Sequence, residues 1–417
     1  MNTSASATPT SQPSFSALKI FNFRGHLFTY MLTMMADNIE HVISYWMIFQ
    51  KFHLPELGGF AIVSHWVPFI VFSVPVGALA DRVDPRRLIQ LGNLMFLTCS
   101  LGWAYFFFTD SLEMWEAMLL LVLHGCSGVF WSTSSQLLLH DIVEHEQLPS
   151  AVRLMATARY LGLLIGPAIG AVLMLTLGPA KGILLNACLY IPSILWFWKA
   201  AYGPKFRKAT DQIVRPAMRG FGDIFDTIKN IAGQHKITSM ILLAGVSSLF
   251  LGNSYQPQMP EFAADLGHGE AGFIYSSLLA ADACGALIAG IILESRGLLK
   301  PSPKSAFILA MLWCLSLMLF ALSPYYLLSM ALLCAAGFLE LSYNSMAQTI
   351  VQLNAPADIR GKVIGLYNMA SMGMRAGSGI TVGLMGGLIG IHWSLCIAGG
   401  VLLMALTTLL IKEKRHF

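Results

Sequence analysis

Apolar residues fall in twelve long runs that are separated by short polar connections. Each run is close to the length of about 20 residues that a helix needs to cross the hydrocarbon layer of a bilayer. The pattern therefore predicts an all-α membrane protein with twelve transmembrane helices. The predicted spans are residues 25–49, 58–80, 88–108, 114–140, 152–176, 182–200, 237–258, 271–294, 305–323, 326–351, 363–388 and 393–411.

The longest polar stretch lies between the sixth and seventh spans and divides the chain into two halves. Within it, Met218 to Gly233 fits either a short amphipathic helix on the membrane surface or a plain solvated linker. The predicted organisation is a mobile N-terminal tail over 1–24, a six-helix bundle over 25–200, a basic linker over 201–236, a second six-helix bundle over 237–411 and a tail over 412–417.

Composition and charge support this prediction and orient it. The chain is 56% hydrophobic and 12% charged, whereas soluble domains carry about a quarter charged residues. Lys and Arg concentrate in the connections on one side, which the positive-inside rule assigns to the cytoplasm. We therefore expect a bacterial inner-membrane protein with both termini cytoplasmic. The seven cysteines lie in apolar runs, and none has the spacing of a zinc site.

The connection after the second span carries a recognisable motif. It reads Gly77-Ala-Leu-Ala-Asp81-Arg82-Val-Asp84-Pro-Arg86-Arg87. A glycine at this point allows close helix approach, and an aspartate at the membrane edge can bind a helix N-terminus. The motif resembles the cytoplasmic signature of the major facilitator superfamily, except that Asp84-Pro85 replaces a glycine. The resemblance implies the major facilitator fold, with two pseudo-symmetric bundles of six helices.

Two further motifs resemble the exporters of that superfamily. The fifth span contains Gly162, Gly166, Pro167 and Gly170 at the spacing of the exporter pattern, and Arg360-Gly361-Lys362-Val363 opens the eleventh span. Both are similar to the branch that includes enterobactin and macrolide exporters. This implies export of a small organic molecule, siderophore-like or drug-like, coupled to proton influx. The family is usually monomeric, and the proton gradient is the energy source, so no cofactor is expected.

The two halves also repeat weakly. Gly77 to Asp81 matches Gly290 to Glu294, and the glycine pair of the fifth span matches Gly373 and Gly377 in the eleventh. Both offsets are about 212 residues. Parallel six-helix repeats are a known transporter architecture.

Span 1 carries ionisable residues at membrane depth, where charges are expensive and usually functional. Asp37, Glu40 and His41 share one helical stripe, and Asp37 lies about 17 Å into the span. We expect the stripe to face a central cavity. Proton coupling is the favoured role, and an internal anchor to Arg159 or Arg375 is the alternative.

The remaining candidates are polar or aromatic residues inside other spans. His124 stands near the place where many proton-coupled exporters have an arginine, and Glu340 and Arg375 are a plausible ion pair between spans 10 and 11. A break is expected in span 7 around Pro257. The predicted substrate-binding set is Arg375, Glu340, Asp282, Arg159, His124, Trp66, Trp131, Tyr255, Asn253 and Gln256.

Other functions remain open at this stage. Asp37 and His41 have the Asp-x-x-x-His spacing of ferroportin-type carriers, so divalent metal export is an alternative, although two ligands are too few for a site. An importer of a small anionic solute, or a receptor built on a transporter fold, would keep most of the same features. No catalytic motif is visible, so an enzyme is not expected, and the basic residues follow topology and form no surface for nucleic acid.

Overall fold

The computed structural model describes residues 14–53, 55–203, 206, 218–252, 255–266, 271–296 and 301–413. Within these ranges the chain is almost entirely helical and contains no strand. Most of the tail predicted over 1–24 and much of the predicted linker lie outside the described residues.

Six spans form the N-terminal half. They are span 1, Phe21–Phe52; span 2, Pro55–Arg82; span 3, Pro85–Thr109; span 4, Met114–Ile142; span 5, Leu148–Leu177; and span 6, which consists of Pro179–Ala187, a 3-10 turn at Cys188–Tyr190 and Ile191–Lys199.

Six more form the C-terminal half, after a linker helix at Gly222–Ile231 that falls inside the predicted amphipathic stretch. They are span 7, His235–Phe250 with Met259–Asp265; span 8, Ala271–Arg296; span 9, Pro303–Leu322; span 10, Tyr326–Asn354; span 11, Arg360–Asn368, Arg375–Ser378 and Met385–Ile389 with intervening π-helical segments; and span 12, Ile391–Glu413.

Among the described residues, nine helices are long and apolar enough to cross a membrane by composition alone. The three spans outside this set are spans 1, 7 and 11. Span 1 carries several ionisable residues, and span 7 ends its first helix at Phe250 and resumes only in a 3-10 turn at Gln256–Gln258. Span 11 is interrupted by π-helical turns at Met369–Gly373 and Gly379–Leu384. Such irregular turns are frequent at functional sites.

The halves are joined on the side of the bundle where span 1 begins and span 12 ends, here called the terminal side. Gly77 of span 2 lies against Gly361 of span 11 so closely that a Cβ on Gly77 would stand 2.0 Å from the Gly361 carbonyl oxygen. The carboxylate of Asp81 accepts hydrogen bonds from the backbone N–H groups of Gly361 (2.8 Å) and Lys362 (3.2 Å). Asp81 thus binds the positive end of the span 11 helix.

A matching contact joins spans 5 and 8. Glu294, at the end of span 8, accepts from the Arg153 guanidinium at 2.7 Å and from the hydroxyl of Ser150. Gly290 packs on Thr157 of span 5. The weak repeat in the sequence therefore corresponds to two equivalent contacts: the end of span 2 or span 8 in one half meets the start of span 11 or span 5 in the other.

The departure from the superfamily motif at Asp84-Pro85 has a local role. Asp84 caps span 3 by accepting from the backbone N–H of Arg86 at 3.1 Å, and Pro85 is the first helical residue, where its missing N–H is not needed. The Arg86 side chain pairs with Asp84 at 2.6 Å and donates to the carbonyl of Ala200, which ties span 3 to span 6. Arg82 lies exposed at the end of span 2.

The glycines of span 5 form its contact with span 1. A Cβ on Gly162 or Gly166 would stand 2.9 Å or less from atoms of Met34, Met35 and Asn38, and Gly170 packs on Ile39. Span 5 stays α-helical from Leu148 to Leu177, with Pro167 inside it. The small-residue stripe therefore positions span 1, which carries the central ionisable residues.

Candidate transport cavity and its ionic network

A cavity lies between the two halves, above the contacts on the terminal side. Spans 1, 2, 3, 4 and 5 line it from the N-terminal half, and spans 10 and 11 from the C-terminal half. Its polar and charged lining residues are Asp37, His65, Ser132, Gln136, Arg159, Asn344, Ser345, Gln348, Asn368 and Ser371, and its aromatic ones are Tyr30, Trp66, Phe69, Phe96, Trp131, Tyr160 and Tyr367.

The centre of the N-terminal half is an ionic network of three groups. Nε2 of His124 lies 2.8 Å from a carboxylate oxygen of Asp37, and Nδ1 of the same ring lies 2.8 Å from a carboxylate oxygen of Glu40. All three side chains are buried, with exposed fractions of 4%, 6% and 1% respectively. An imidazolium donates from both nitrogens, so the ring can neutralise and orient both carboxylates at once. When its ring is protonated, His124 is the central cation of this network, and its charge depends on pH.

Asp37 and Glu40 differ in what else they contact. Asp37 lines the cavity, whereas Glu40 accepts a hydrogen bond from the hydroxyl of Ser100 in span 3 and does not line it. Asn186 of span 6 supports this arrangement by donating to the carbonyl of Ala36 at 3.0 Å. The prediction that the whole stripe faces the cavity is therefore wrong for Glu40, and His41 does not line the cavity either. Residues three and four apart on a helix are offset by about 60° and 40°. Asp37 is the member of the network that meets both the cavity and His124.

Two more histidines lie beside the network. His41 stands 3.9 Å from Asp37, and His65 of span 2 packs against His41, with ring centroids 4.8 Å apart. One ligand-capable atom from each of His41, His65 and His124 lies within 4.8 Å of the others. Nε2 of His41 and Nδ1 of His65 are buried without a hydrogen-bond partner in the described part of the chain.

His65 was missed by the sequence analysis. Its signal was an ionisable residue between Ser64 and Trp66, inside the second predicted span. The same depth argument that selected Asp37 in span 1 applies to His65 in span 2, since its helix also crosses the membrane. The sequence did not show that spans 1, 2 and 4 bring their histidines to one point.

Arg159 and Arg375 differ in their relation to the cavity, which Arg375 does not line. Arg159 lines the cavity, where its Nη2 faces the sulfur of Met372 at 3.5 Å. Arg375 lies over the ring of Trp66, with 5.1 Å from the guanidinium carbon to the ring centroid, and donates to the carbonyl of Ser371 at 3.2 Å. Neither arginine forms an ion pair within the described residues. The expected direct pair between Arg375 and Glu340 is absent, although the two charges remain near enough to attract.

The acidic residues of the C-terminal half form a separate cluster behind the cavity. Asp282 of span 8 is within 3.3 Å of the hydroxyl of Tyr255 and 3.4 Å of the amide of Gln256. Glu340 of span 10 interacts with the hydroxyls of Tyr160 and Tyr255. Asp282 and Glu340, with Tyr255 and Gln256, do not line the cavity in this conformation. Asn253 lies outside the described residues.

Of the three aromatic candidates, Trp66 and Trp131 line the cavity, whereas Tyr255 does not. Trp131 stacks on Tyr30 with ring centroids 4.5 Å apart, and Trp66 carries Arg375 on its face. Together with Asp37 and Arg159, these rings make a lining that is both aromatic and charged, which suits an amphiphilic organic molecule.

The chain matches the sequence model of the Major Facilitator Superfamily over residues 27–378 and again over 241–417. It belongs to the major facilitator superfamily. The twelve spans, the pseudo-symmetric contacts and the central cavity are the architecture of that family, and the protein is a membrane-spanning transporter rather than an enzyme.

Relatives and solved structures show which proteins the chain is similar to. The Enterobactin exporter EntS of Escherichia coli (strain K12) is 24% identical over 352 residues, which cover 82% of this chain and 80% of the relative. The fold is similar to that of a bacterial homologue of the iron transporter ferroportin in an outward-facing state (TM-score 0.70, 14% identity, 94% of this chain and 99% of that one). It is also similar to the human organic anion transporter MFSD10 (TM-score 0.66, 14% identity, 97% and 100%).

Replacing His124 by leucine tests whether the imidazole holds the network together. The change leaves the buried carboxylates of Asp37 and Glu40 without their shared cation, and breaking a buried ion pair in this way costs about 3–5 kcal/mol. We expect a clear fall in the unfolding temperature of the detergent-solubilised protein, and partial recovery in the double variant His124→Leu, Asp37→Asn. The control is His145→Leu, at an exposed position. Equal unfolding temperatures for His124→Leu and the control would contradict the assignment.

Proposed function

We propose that this protein exports a small anionic organic molecule across the bacterial inner membrane, driven by proton influx. The observation that carries the substrate class is Arg159, a cation that lines the central cavity. No described carboxylate pairs with it. A cation at this depth is expensive to maintain, and an anionic substrate would supply the missing partner.

The lining supports an amphiphilic anion over a purely polar one. Trp66, Trp131 and Tyr367 present aromatic surface beside Arg159. Such rings pack against flat apolar groups, while the guanidinium donates two parallel hydrogen bonds to a carboxylate. The similarity to an enterobactin exporter supports export and a siderophore-like substrate. The fold shared with an organic anion transporter is compatible with the same class.

The direction of access follows from the contacts between the halves. If the basic connections are cytoplasmic, the terminal side faces the cytoplasm, and the contacts of Asp81 and Glu294 close the cavity on that side. Alternating access then requires these contacts to open so that the substrate can enter from the cytoplasm. Their small number and their position at helix ends suit a reversible gate. The contacts of Asp81 and Glu294 are together called the gate below.

Asp37 is the proposed coupling residue because it touches both the cavity and His124. A proton that reaches Asp37 removes one of the two charges that hold the imidazole. The remaining charges of Glu40 and His124 then balance each other, and the field that Arg159 and the substrate experience changes. The protonation state of Asp37 and the binding of an anion beside Arg159 are therefore coupled by this change of charge.

The substrate class is tested by Arg159→Gln, measured with paired anionic and neutral analogues of one transported compound. Loss of a charge-assisted hydrogen bond costs about 1.5–3 kcal/mol, so we expect the apparent KM for the anion to rise roughly 10- to 100-fold, with little change for the neutral analogue. Arg159→Lys should recover part of the effect. Arg87→Gln, at an exposed position on the terminal side, is the control. An equal loss for both analogues would contradict an anion site.

Proton coupling is tested by Asp37→Asn in proteoliposomes with an imposed pH gradient and a panel of siderophores, dyes and drugs. The amide keeps the shape of the side chain but does not bind the proton, so gradient-driven efflux should be lost while downhill exchange continues. Asp110→Asn, at an exposed surface pair with Lys51, is the control. Unchanged gradient-driven efflux in Asp37→Asn would remove Asp37 as the coupling site, and inward movement with protons would make the protein an importer.

A second candidate function, export of a divalent metal, is favoured by one observation. The sequence offered only Asp37 and His41 as ligands, and the fold adds His65 and His124 at their side. Three imidazoles and a carboxylate are a suitable ligand set for Zn²⁺, Co²⁺ or Fe²⁺, with Glu40 orienting His124 from behind. Against this candidate, both nitrogens of His124 already face carboxylates.

Isothermal titration of the purified protein with Zn²⁺, Co²⁺ and Fe²⁺ separates the two candidates. Metal export predicts saturable heat in the wild type and its loss in His65→Ala, with no loss in the control His145→Ala. Absence of saturable heat in the wild type would eliminate the metal candidate and leave the organic anion.

A further inference from the structure

The linker helix, Gly222–Ile231, has three distinct faces. Asp223, Thr227 and Ile231 are buried against the transporter. Asp226, Lys229 and Asn230 form a polar, water-accessible face. With about 100° per residue, the remaining stripe consists of Phe221, just before the helix, together with Phe225 and Ile228. These three apolar side chains are 58%, 77% and 47% exposed.

The position of the apolar stripe identifies what covers it. The ring of Phe221 lies beside Phe72 of span 2, with centroids 6.4 Å apart. Phe72 is 38% exposed on the outside of that span and is ten residues from its end, which corresponds to about 15 Å along the helix. The stripe is therefore continuous with the apolar outer surface of span 2, on the side of the membrane where that span ends.

The buried face of the linker helix is bound to the gate. Asp223 is fully buried and forms an ion pair of 2.6 Å with the ammonium group of Lys362 in span 11. The backbone N–H of Lys362 is one of the two groups bound by Asp81. The linker helix and the closed gate therefore share one residue.

We propose that the linker helix lies in the lipid–water interface on the terminal side, with Phe221, Phe225 and Ile228 inserted among the acyl chains. Its polar face, including Lys229, meets the phosphates of the headgroups. A helix with these faces is suited to lie in the interface plane. Through Asp223 and Lys362 the bilayer then holds the start of span 11 in the closed position. This assignment is independent of the substrate.

Spin labelling tests the location directly. Cysteine is introduced as Phe225→Cys or, on the water face, as Asn230→Cys, in full-length protein whose native cysteines are replaced, and each is labelled with a nitroxide in phosphatidylethanolamine–phosphatidylglycerol nanodiscs. Collisions with oxygen should exceed those with a water-soluble nickel chelate at position 225, and the order should reverse at position 230. Nickel-dominated collisions at position 225 would overturn the proposal. Poor access of both reagents would also overturn it, because the stripe would then be covered by protein.

The link to the gate has its own test. Asp223→Asn removes the charge that pairs with Lys362, so the nitroxide at position 225 should become more mobile while remaining oxygen-accessible. Asp226→Asn, which removes the exposed partner of Arg219, is the matched control. Unchanged mobility in Asp223→Asn would contradict the link between the helix and the gate.

Discussion

The close approach of Gly77 to Gly361, with Asp81 on the N-terminus of span 11, is the contact on which the rest of the structure depends. It joins the two halves at one side and so creates the cavity between them. The contact works only because two glycines face each other: the peptide of each occupies the space of a side chain in the other. Asp81 then satisfies backbone N–H groups that would otherwise be unpaired at a helix start.

The pseudo-symmetric contact of Glu294 with Ser150 and Arg153 gives the gate a second point of closure. The two contacts differ in chemistry. Asp81 accepts hydrogen bonds from backbone N–H groups, and helix geometry fixes the strength of these bonds. Glu294 instead binds side chains. A membrane transporter needs contacts that hold one conformation and yet can be exchanged, and helix ends bound by single carboxylates meet that need. The linker helix adds a third contact, which it makes with Lys362 at the start of span 11.

The family and the number of spans could be predicted from the sequence. A helix that crosses lipid needs a long apolar run, and the distribution of basic residues distinguishes the connections on one side of the membrane from those on the other. The irregular parts were harder. Span 1 was found despite its charges, and the break in span 7 was anticipated from its polar residues. The two π-helical segments that surround Arg375 in span 11 were not, since glycine-rich apolar sequence is equally compatible with a regular helix.

The candidate site was predicted only in part, and the reason is long-range packing. Asp37 was selected from its depth and His124 from its place near an exporter arginine, but their hydrogen bond spans 87 positions along the chain, and no local pattern specifies it. The same applies to Glu40, whose partner Ser100 turns it away from the cavity, and to Arg375, which lies on Trp66 instead of pairing with Glu340. His65 entered the site because span 2 packs beside span 1.

The measurement that most directly tests the account is the distance across the gate. Nitroxide labels at Val83→Cys and Asp358→Cys, exposed positions at the ends of spans 2 and 11 on the terminal side, report this distance by double electron–electron resonance. We predict one short distance when Gly77 is present and a longer one in Gly77→Leu, whose side chain has no room beside Gly361. Gly387→Leu, where a Cβ would meet nothing within 4 Å, should match the wild type. An unchanged distance in Gly77→Leu would contradict the assignment of this contact as the gate.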